Sequence, residues 1–108
     1  MSASERRKGG VGEREVVRAL KDAGWPRAER TSNGRAQHAR GDIAHGPEGV
    51  HVEVKRQERL NVPKAFRQIE ADANPLDIPV LVHRPSGQDW MATLPLSDLL
   101  DLLKLREA

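Results

Sequence analysis

The sequence predicts an α/β domain, a small mixed β-sheet flanked by helices. Valines at every second position alternate with polar residues in the segment 50–55, which is the pattern of a half-buried strand. The nearly continuous apolar segment 78–83 is typical of a strand in the centre of a sheet. Apolar residues at helical spacing elsewhere in the chain predict the flanking helices.

The other elements follow from periodicity and from the residues that begin and end helices and strands. The 108 residues are enough for one domain, in which a flexible polar tail, 1–8, precedes a helix. That helix is predicted to begin around Gly10 to Gly12 and to end at Gly24. After it we expect a strand at about 27–31, a mobile loop at 32–41, a helix at 63–73, a strand at 90–94 and a helix at 97–106.

A β-hairpin is predicted over residues 41–56, with its turn at the Gly-Pro-Glu-Gly sequence 46–49. With a loop of that length, Ile43 faces Val52 on the apolar side of the hairpin. The polar side carries charged residues from both arms, and these are the first candidates for a site.

The same register sets Asp42 opposite Glu53 on the polar side, with their Cβ atoms about 5 Å apart. Like charges in that position destabilise a sheet, and a divalent cation removes the conflict. Two carboxylates suit Mg²⁺, which leaves its other positions to water and substrate phosphate. Lys55 lies on the same side, where its ammonium can stabilise charge on a phosphate or orient a water. A solvated polar face is the alternative interpretation.

Glu13 is a third acidic candidate, on the first helix. It stands three, four and seven residues before Val16, Val17 and Leu20, so its carboxylate lies in line with the apolar stripe. An inward carboxylate is uncommon unless it is paired or serves a site. A frayed first turn and a buried salt bridge are the alternatives.

Charge is unevenly distributed along the chain. Residues 1–67 carry 15 Lys and Arg against 9 Asp and Glu, whereas residues 68–108 carry 3 against 7. The basic excess accompanies the acidic candidates and favours a phosphate-backbone partner, although a solvated charged surface is the alternative. There is no cysteine, which excludes thiolate zinc sites and disulfides and favours a cytoplasmic protein. No apolar run is long enough to cross a membrane, so no membrane partner is expected.

The last helix is unusually rich in leucine. Its leucines cover more than half of the helical circumference, which is wider than the stripe that one core contact requires. Part of that surface is therefore expected to meet another chain. These leucines are Leu99, Leu100, Leu102, Leu103 and Leu105.

Several short motifs together resemble a known family. Glu13, then Asp42, then the tripeptide 53–55, Glu-Val-Lys, resemble the PD-(D/E)xK nuclease motif in order and in placement on a helix and a hairpin. More narrowly, RKGGVGERE near the start, Arg30 before the loop, GDIA, VEVK and IPVLV resemble archaeal-type Holliday junction resolvases. The resemblance spans most of residues 6–94.

This resemblance implies a restriction-endonuclease-like fold and a homodimer that resolves four-way DNA junctions by paired nicks on opposite strands, with Mg²⁺ as cofactor and Mn²⁺ expected to substitute. It implies that Asp42, Glu53 and the Val54 carbonyl bind the metal, that Glu13 completes the site through a metal-bound water, and that Lys55 acts at the attacked phosphate. Arg14 and Arg30 match basic residues that bear on cleavage and DNA contact. From the basic excess, DNA contacts are also expected for Arg6, Arg7, Lys8, Arg35, Arg40 and Arg56.

The chain departs from the family pattern in places. Gly41 replaces the proline that often precedes the metal aspartate, a change expected only to loosen the turn. Ser32 matches a loop serine, and His38 is a weaker candidate for a catalytic base. Two other functions stay open: another PD-(D/E)xK nuclease of repair or restriction acting on duplex or flap DNA, and a non-enzymatic nucleic-acid-binding module whose acids are structural.

Overall fold

The computed structural model describes residues 3–31 and 41–108, without the side chains of residues 3–9. In this part of the chain the protein is a small α/β domain with three helices and mixed sheets, which confirms the predicted class. The restriction-endonuclease-like fold stays a prediction. The elements are α1 (Ala3–Ala23), β1 (Glu29–Arg30), β2 (Ile43–Ala44), β3 (Val50–Arg56), α2 (Val62–Asp72), β4 (Ile78–Arg84), β5 (Met91–Thr93) and α3 (Leu96–Glu107).

The larger sheet has three strands in the order β3-β4-β5. β3 and β4 are parallel, with Val50 opposite Ile78 and Arg56 opposite Arg84. Parallel neighbours need a long crossover, which α2 provides. β5 runs antiparallel on the other edge of β4, so β4 is the central strand, as its apolar sequence predicted.

The two faces of this sheet are covered by different helices. Because side chains alternate along a strand, the valines of β3 face α1, while Glu53 and its register partner Leu81 face α2. Leu81 is fully buried. The α1-side core contains Val16, Ala28, Ile43, Val52 and Val54, and the α2-side core contains Ala65, Ile69 and Leu81. The expected packing of Ile43 with Val52 is confirmed.

The predicted hairpin is wrong as a strand ladder. β2 pairs antiparallel with β1, with Arg30 opposite Ile43, and β3 takes β4 as its ladder partner. His45, immediately after β2, has a positive φ of 58°, which interrupts the extended backbone before the second arm can pair. One bond of the expected arrangement remains, in which the Asp42 N–H donates to the Val52 carbonyl oxygen at 2.8 Å.

The first helix begins earlier than predicted. α1 starts at Ala3, so it includes most of the segment that was expected to be a polar tail. Alanine, glutamate, arginine and lysine in that segment are good helix formers, which accounts for the earlier start despite the glycines that follow. The other bounds lie within two residues of those predicted. None of the helices described is both long and apolar enough to cross a membrane.

Candidate active site

Asp42 is fixed by backbone bonds on both sides. Its N–H donates to the Val52 carbonyl at 2.8 Å, and its own carbonyl accepts from the Thr31 N–H at 3.1 Å. The Thr31 hydroxyl also donates to the Gly41 carbonyl at 2.8 Å. Asp42 therefore sits where the β1–β2 ribbon meets β3, held to each by hydrogen bonds.

Gly41 makes this close approach possible. Its φ is +78°, a left-handed conformation that favours glycine, and a Cβ at this position would lie 2.7 Å from the Val52 carbonyl oxygen. Proline, whose φ is held near −65°, cannot adopt this backbone. The expectation that glycine only loosens the turn was wrong, because here the glycine is required by the contact with β3.

The carboxylates of Asp42 and Glu53 interact, as the sequence predicted. Asp42 Oδ2 accepts a hydrogen bond from the Val54 N–H at 2.8 Å. Burial, together with the charge and hydrogen bond of Glu53, raises the pKa of Asp42 to about 6, against the opposing effects of the Val54 N–H and Lys55. Three of the four predicted catalytic residues thus lie within electrostatic reach of one another.

Glu13 is engaged elsewhere. Its Oε1 accepts a hydrogen bond from Arg30 Nε at 2.8 Å, and the side chains are only 17% and 19% exposed. Glu13 is therefore an inward carboxylate, as its spacing predicted, and it forms a part-buried salt bridge, close to one of the alternatives. It belongs to α1, which covers the opposite face of the sheet from Glu53, so its contribution to a metal site stays a prediction.

The acidic pair suits Mg²⁺. The residues described contain no group of three or more histidine, aspartate or glutamate side chains placed to hold a metal. Mg²⁺ is commonly held by one or two carboxylates with water and phosphate in its other positions, so Asp42 and Glu53 are the residues that could hold it. Two interacting carboxylates, one with a raised pKa, are the observation that favours such a cation. The Val54 carbonyl as a further ligand stays a prediction.

A basic groove lies between α1 and the β1–β2 ribbon. Its volume is about 640 Å³, and four cationic side chains, Arg14, Lys21, Arg27 and Arg30, line it together with Glu29 and His45. Arg14 and Arg30 were predicted DNA contacts, Arg27 was counted only in the basic excess that favours a phosphate partner, and Lys21 was not singled out. Lys21 follows Arg14 by seven residues, two helical turns, and that spacing was the available signal.

The remaining basic candidates are less defined. Arg56, predicted as a DNA contact, is half-buried, and its Nε has no hydrogen-bond partner among the described residues. The other predicted contacts or participants lie outside the residues whose side chains are described: Arg6, Arg7, Lys8, Ser32, Arg35, His38 and Arg40.

His51 was not among the predicted site residues. It is 2% exposed, and its Nε2 lies 3.1 Å from Glu53 Oε1. The available signal was its position two residues before Glu53, which puts both side chains on the same side of β3. The site therefore includes a buried imidazole beside the acidic pair.

Comparison with models of known families, with curated proteins and with solved structures found no match to this chain.

Proposed function

We propose that this protein is a metal-dependent, structure-selective endodeoxyribonuclease that resolves four-way DNA junctions. The observation that carries the proposal is the Asp42–Glu53 pair, with Lys55 near enough to affect the pKa of Asp42. Two interacting acids and a lysine on adjoining chain segments suit hydrolysis of a phosphodiester. The order of these residues along the chain, with Glu13 before them, agrees with the nuclease motif.

The residues of the site divide the work of cleavage among them. Asp42 and Glu53 would hold Mg²⁺, which when bound stabilises charge on the phosphate and activates water. Lys55 places an ammonium beside the attacked phosphate, where it stabilises developing negative charge. The Val54 N–H keeps Asp42 oriented through the bond at 2.8 Å. Glu13 holds Arg30 in place at the edge of the basic groove.

The basic groove supports DNA as the substrate class. Four cationic side chains outnumber Glu29 and the Glu13 that pairs with Arg30, which leaves an excess of positive charge along the side of α1. Phosphate contacts of this kind position a duplex without reading its sequence, and they make affinity fall steeply with salt. Selectivity for a junction would then come from the shape of the DNA.

A second copy of the chain is the partner that paired nicks require. α3 has no buried residue, and six of its leucines are more than a third exposed. Association of two copies through this helix would cover the leucines and supply a second active site by symmetry. These leucines are Leu96, Leu99, Leu100, Leu102, Leu103 and Leu105.

Charge-removing substitutions at the acidic pair test the proposal. We expect Asp42→Asn and Glu53→Gln each to abolish Mg²⁺-dependent cleavage of a four-way junction, with DNA binding retained or tightened, because the basic groove is untouched. Glu48→Gln is the matched control, since Glu48 is an exposed acid between β2 and β3 and its loss should leave the rate unchanged. The measurements are nicking rates on gels and binding by gel shift in Ca²⁺.

The same assay should compare a four-way junction, a flap and a linear duplex of equal sequence. Undiminished turnover in the Asp42 or Glu53 variant would refute the assignment of the site. Equal cleavage of junction and duplex at moderate salt would replace the resolvase by a general nuclease of the same superfamily. Binding without any cleavage in the wild type would leave a nucleic-acid-binding module.

A further inference from the structure

His51 is buried in β3 on the side of the strand that carries Glu53. Only 2% of the residue is exposed, and it is the only polar or charged residue among the fully buried positions of the described chain. A buried histidine differs from a buried hydrocarbon side chain, because its ring nitrogens need hydrogen-bond partners.

The imidazole bridges the two segments that carry the acids. On one side, Nε2 lies 3.1 Å from Glu53 Oε1, and the tautomer with its proton on Nε2 donates to that carboxylate oxygen. On the other side, the ring lies against Gly41, where an added Cβ would be 3.2 Å from Nε2. His51 is therefore packed between the backbone leading into Asp42 and the carboxylate of Glu53.

The other ring nitrogen indicates that packing alone does not explain this histidine. His51 Nδ1 is buried and has no hydrogen-bond partner among the described residues. A leucine or methionine would fill the same space without any polar atom, so what the imidazole offers beside Glu53 is the donor at Nε2.

We propose that His51 is a positioning residue, whose Nε2–H holds one oxygen of Glu53 and so restricts the rotation of the carboxylate that faces Asp42. The inference rests on the proposed function, in which that carboxylate is a metal ligand. Groups that hold metal-ligating side chains by hydrogen bonds typically change metal affinity or activity about 10- to 100-fold when they are removed.

Two substitutions separate the donor from the volume of the ring. His51→Leu keeps the approximate volume and removes the donor, whereas His51→Gln places an amide N–H where Nε2 lies. We expect His51→Leu to weaken Mn²⁺ binding about tenfold or more, and His51→Gln to stay within about threefold of the wild type. The first measurement is calorimetric titration of Mn²⁺ into the full chain, freed of metal and then of chelator, without DNA. The second is the rate of junction cleavage.

His83→Leu is the matched control. His83 is a half-buried histidine on β4 whose Nε2 lies 2.9 Å from the Thr93 hydroxyl rather than an acid, so its loss should leave Mn²⁺ affinity unchanged. Thermal unfolding followed by circular dichroism reports whether each variant is folded. Should His51→Leu not fold, His51→Asn takes its place, because its shorter amide does not extend to Glu53.

The outcomes separate this inference from the proposed function. Wild-type Mn²⁺ affinity and cleavage in the folded leucine or asparagine variant would overturn the positioning role and leave the nuclease standing. Equal loss in the glutamine and leucine variants would overturn it as well, since a donor at Nε2 would not restore the site. A wild type that neither binds Mn²⁺ nor cleaves DNA would remove the proposed function and this inference with it.

Discussion

The region around β3 buries charged and polar side chains, whereas the helix α3 exposes large apolar ones. Beside β3, the chain places carboxylates, an arginine and a histidine in half-buried or buried positions. Along α3, six leucines are more than a third exposed. Charged groups are ordinarily outside and large apolar groups inside, so each region is unfavourable for an isolated chain.

The difference lies in what would relieve each region. Asp42 is held by the Val54 N–H and Glu53 lies beside His51, and a cation would remove the repulsion between these two acids. The leucines of α3 are partly exposed, and an apolar surface would cover them. Under the proposed function, a small hard ion would relieve the first region and a second copy of the chain would cover the second.

The largest effect is expected from adding charge to α3. In the dimer proposed above, Leu100→Glu with Leu103→Glu should weaken association at least about a thousandfold, or about 4 kcal/mol, because four like charges would enter a symmetric interface. Unfolding of the monomer should change little, since both leucines are exposed. Analytical ultracentrifugation over a concentration series measures this, and Leu76→Glu, at a residue 92% exposed outside α3, is the control. An unchanged dimer would place the interface elsewhere.

An intermediate effect is expected at Gly41. Gly41→Ala should lower the free energy of unfolding by about 3 kcal/mol, from a strained φ and from the approach of its Cβ to the Val52 carbonyl. Gly49→Ala is the control, because Gly49 has a similar φ of +75° with nothing within 4 Å of an added Cβ. It should lose only about 1–2 kcal/mol. Equal losses in urea denaturation would show that the contact with β3 is unimportant.

The smallest effect concerns the charge on Asp42. Its pKa is raised to about 6 in the fold, so ionisation costs stability as pH rises from about 4 through 6. Asp42→Asn has no such ionisation and should be more stable than the wild type at pH 8 in chelator. The full shift from 3.8 to about 6 corresponds to about 3 kcal/mol, and partial exposure of the carboxyl reduces the expected difference to about 1–2 kcal/mol. The difference should vanish below pH 4. Urea denaturation at both pH values measures the difference in free energy of unfolding between variant and wild type. The same difference at pH 8 and below pH 4 would contradict the raised pKa of Asp42.

Adding Mg²⁺ sharpens the same comparison. Under the proposed function the ion should stabilise the wild type and leave Asp42→Asn nearly unchanged, since binding to the folded state alone raises the free energy of unfolding.

Local patterns predicted the elements better than their partners. The alternation in residues 50–55 identified the faces of β3, and the apolar segment 78–83 identified the central strand, because both signals are properties of a single segment. The parallel pairing of β3 with β4 was missed in favour of a nearby hairpin. A glycine-containing turn is visible in the sequence, whereas a ladder formed across α2 depends on tertiary packing.

In the candidate site, too, local patterns predicted the direction of side chains better than their partners. Asp42 and Glu53 were expected to meet, and they do so through an Asp42–Val54 bond rather than through a regular ladder. The inward direction of Glu13 was readable from helical spacing, but its partner Arg30 was not, because that contact joins α1 to a strand seventeen residues away. His51 could be placed on the face of Glu53, yet its burial depends on the packing around β3.

The crossover between β3 and β4 also bears on when the site can form. Residue 50 pairs with residue 78, so the strand that carries Glu53 has no ladder partner until the chain has been made through α2 and β4. Contacts this distant in sequence slow folding, since a long loop must close before they stabilise anything. A chain still leaving the ribosome would thus hold Asp42 and Glu53 without the rigid strand that orients them. We therefore expect the acidic pair to assemble late in folding.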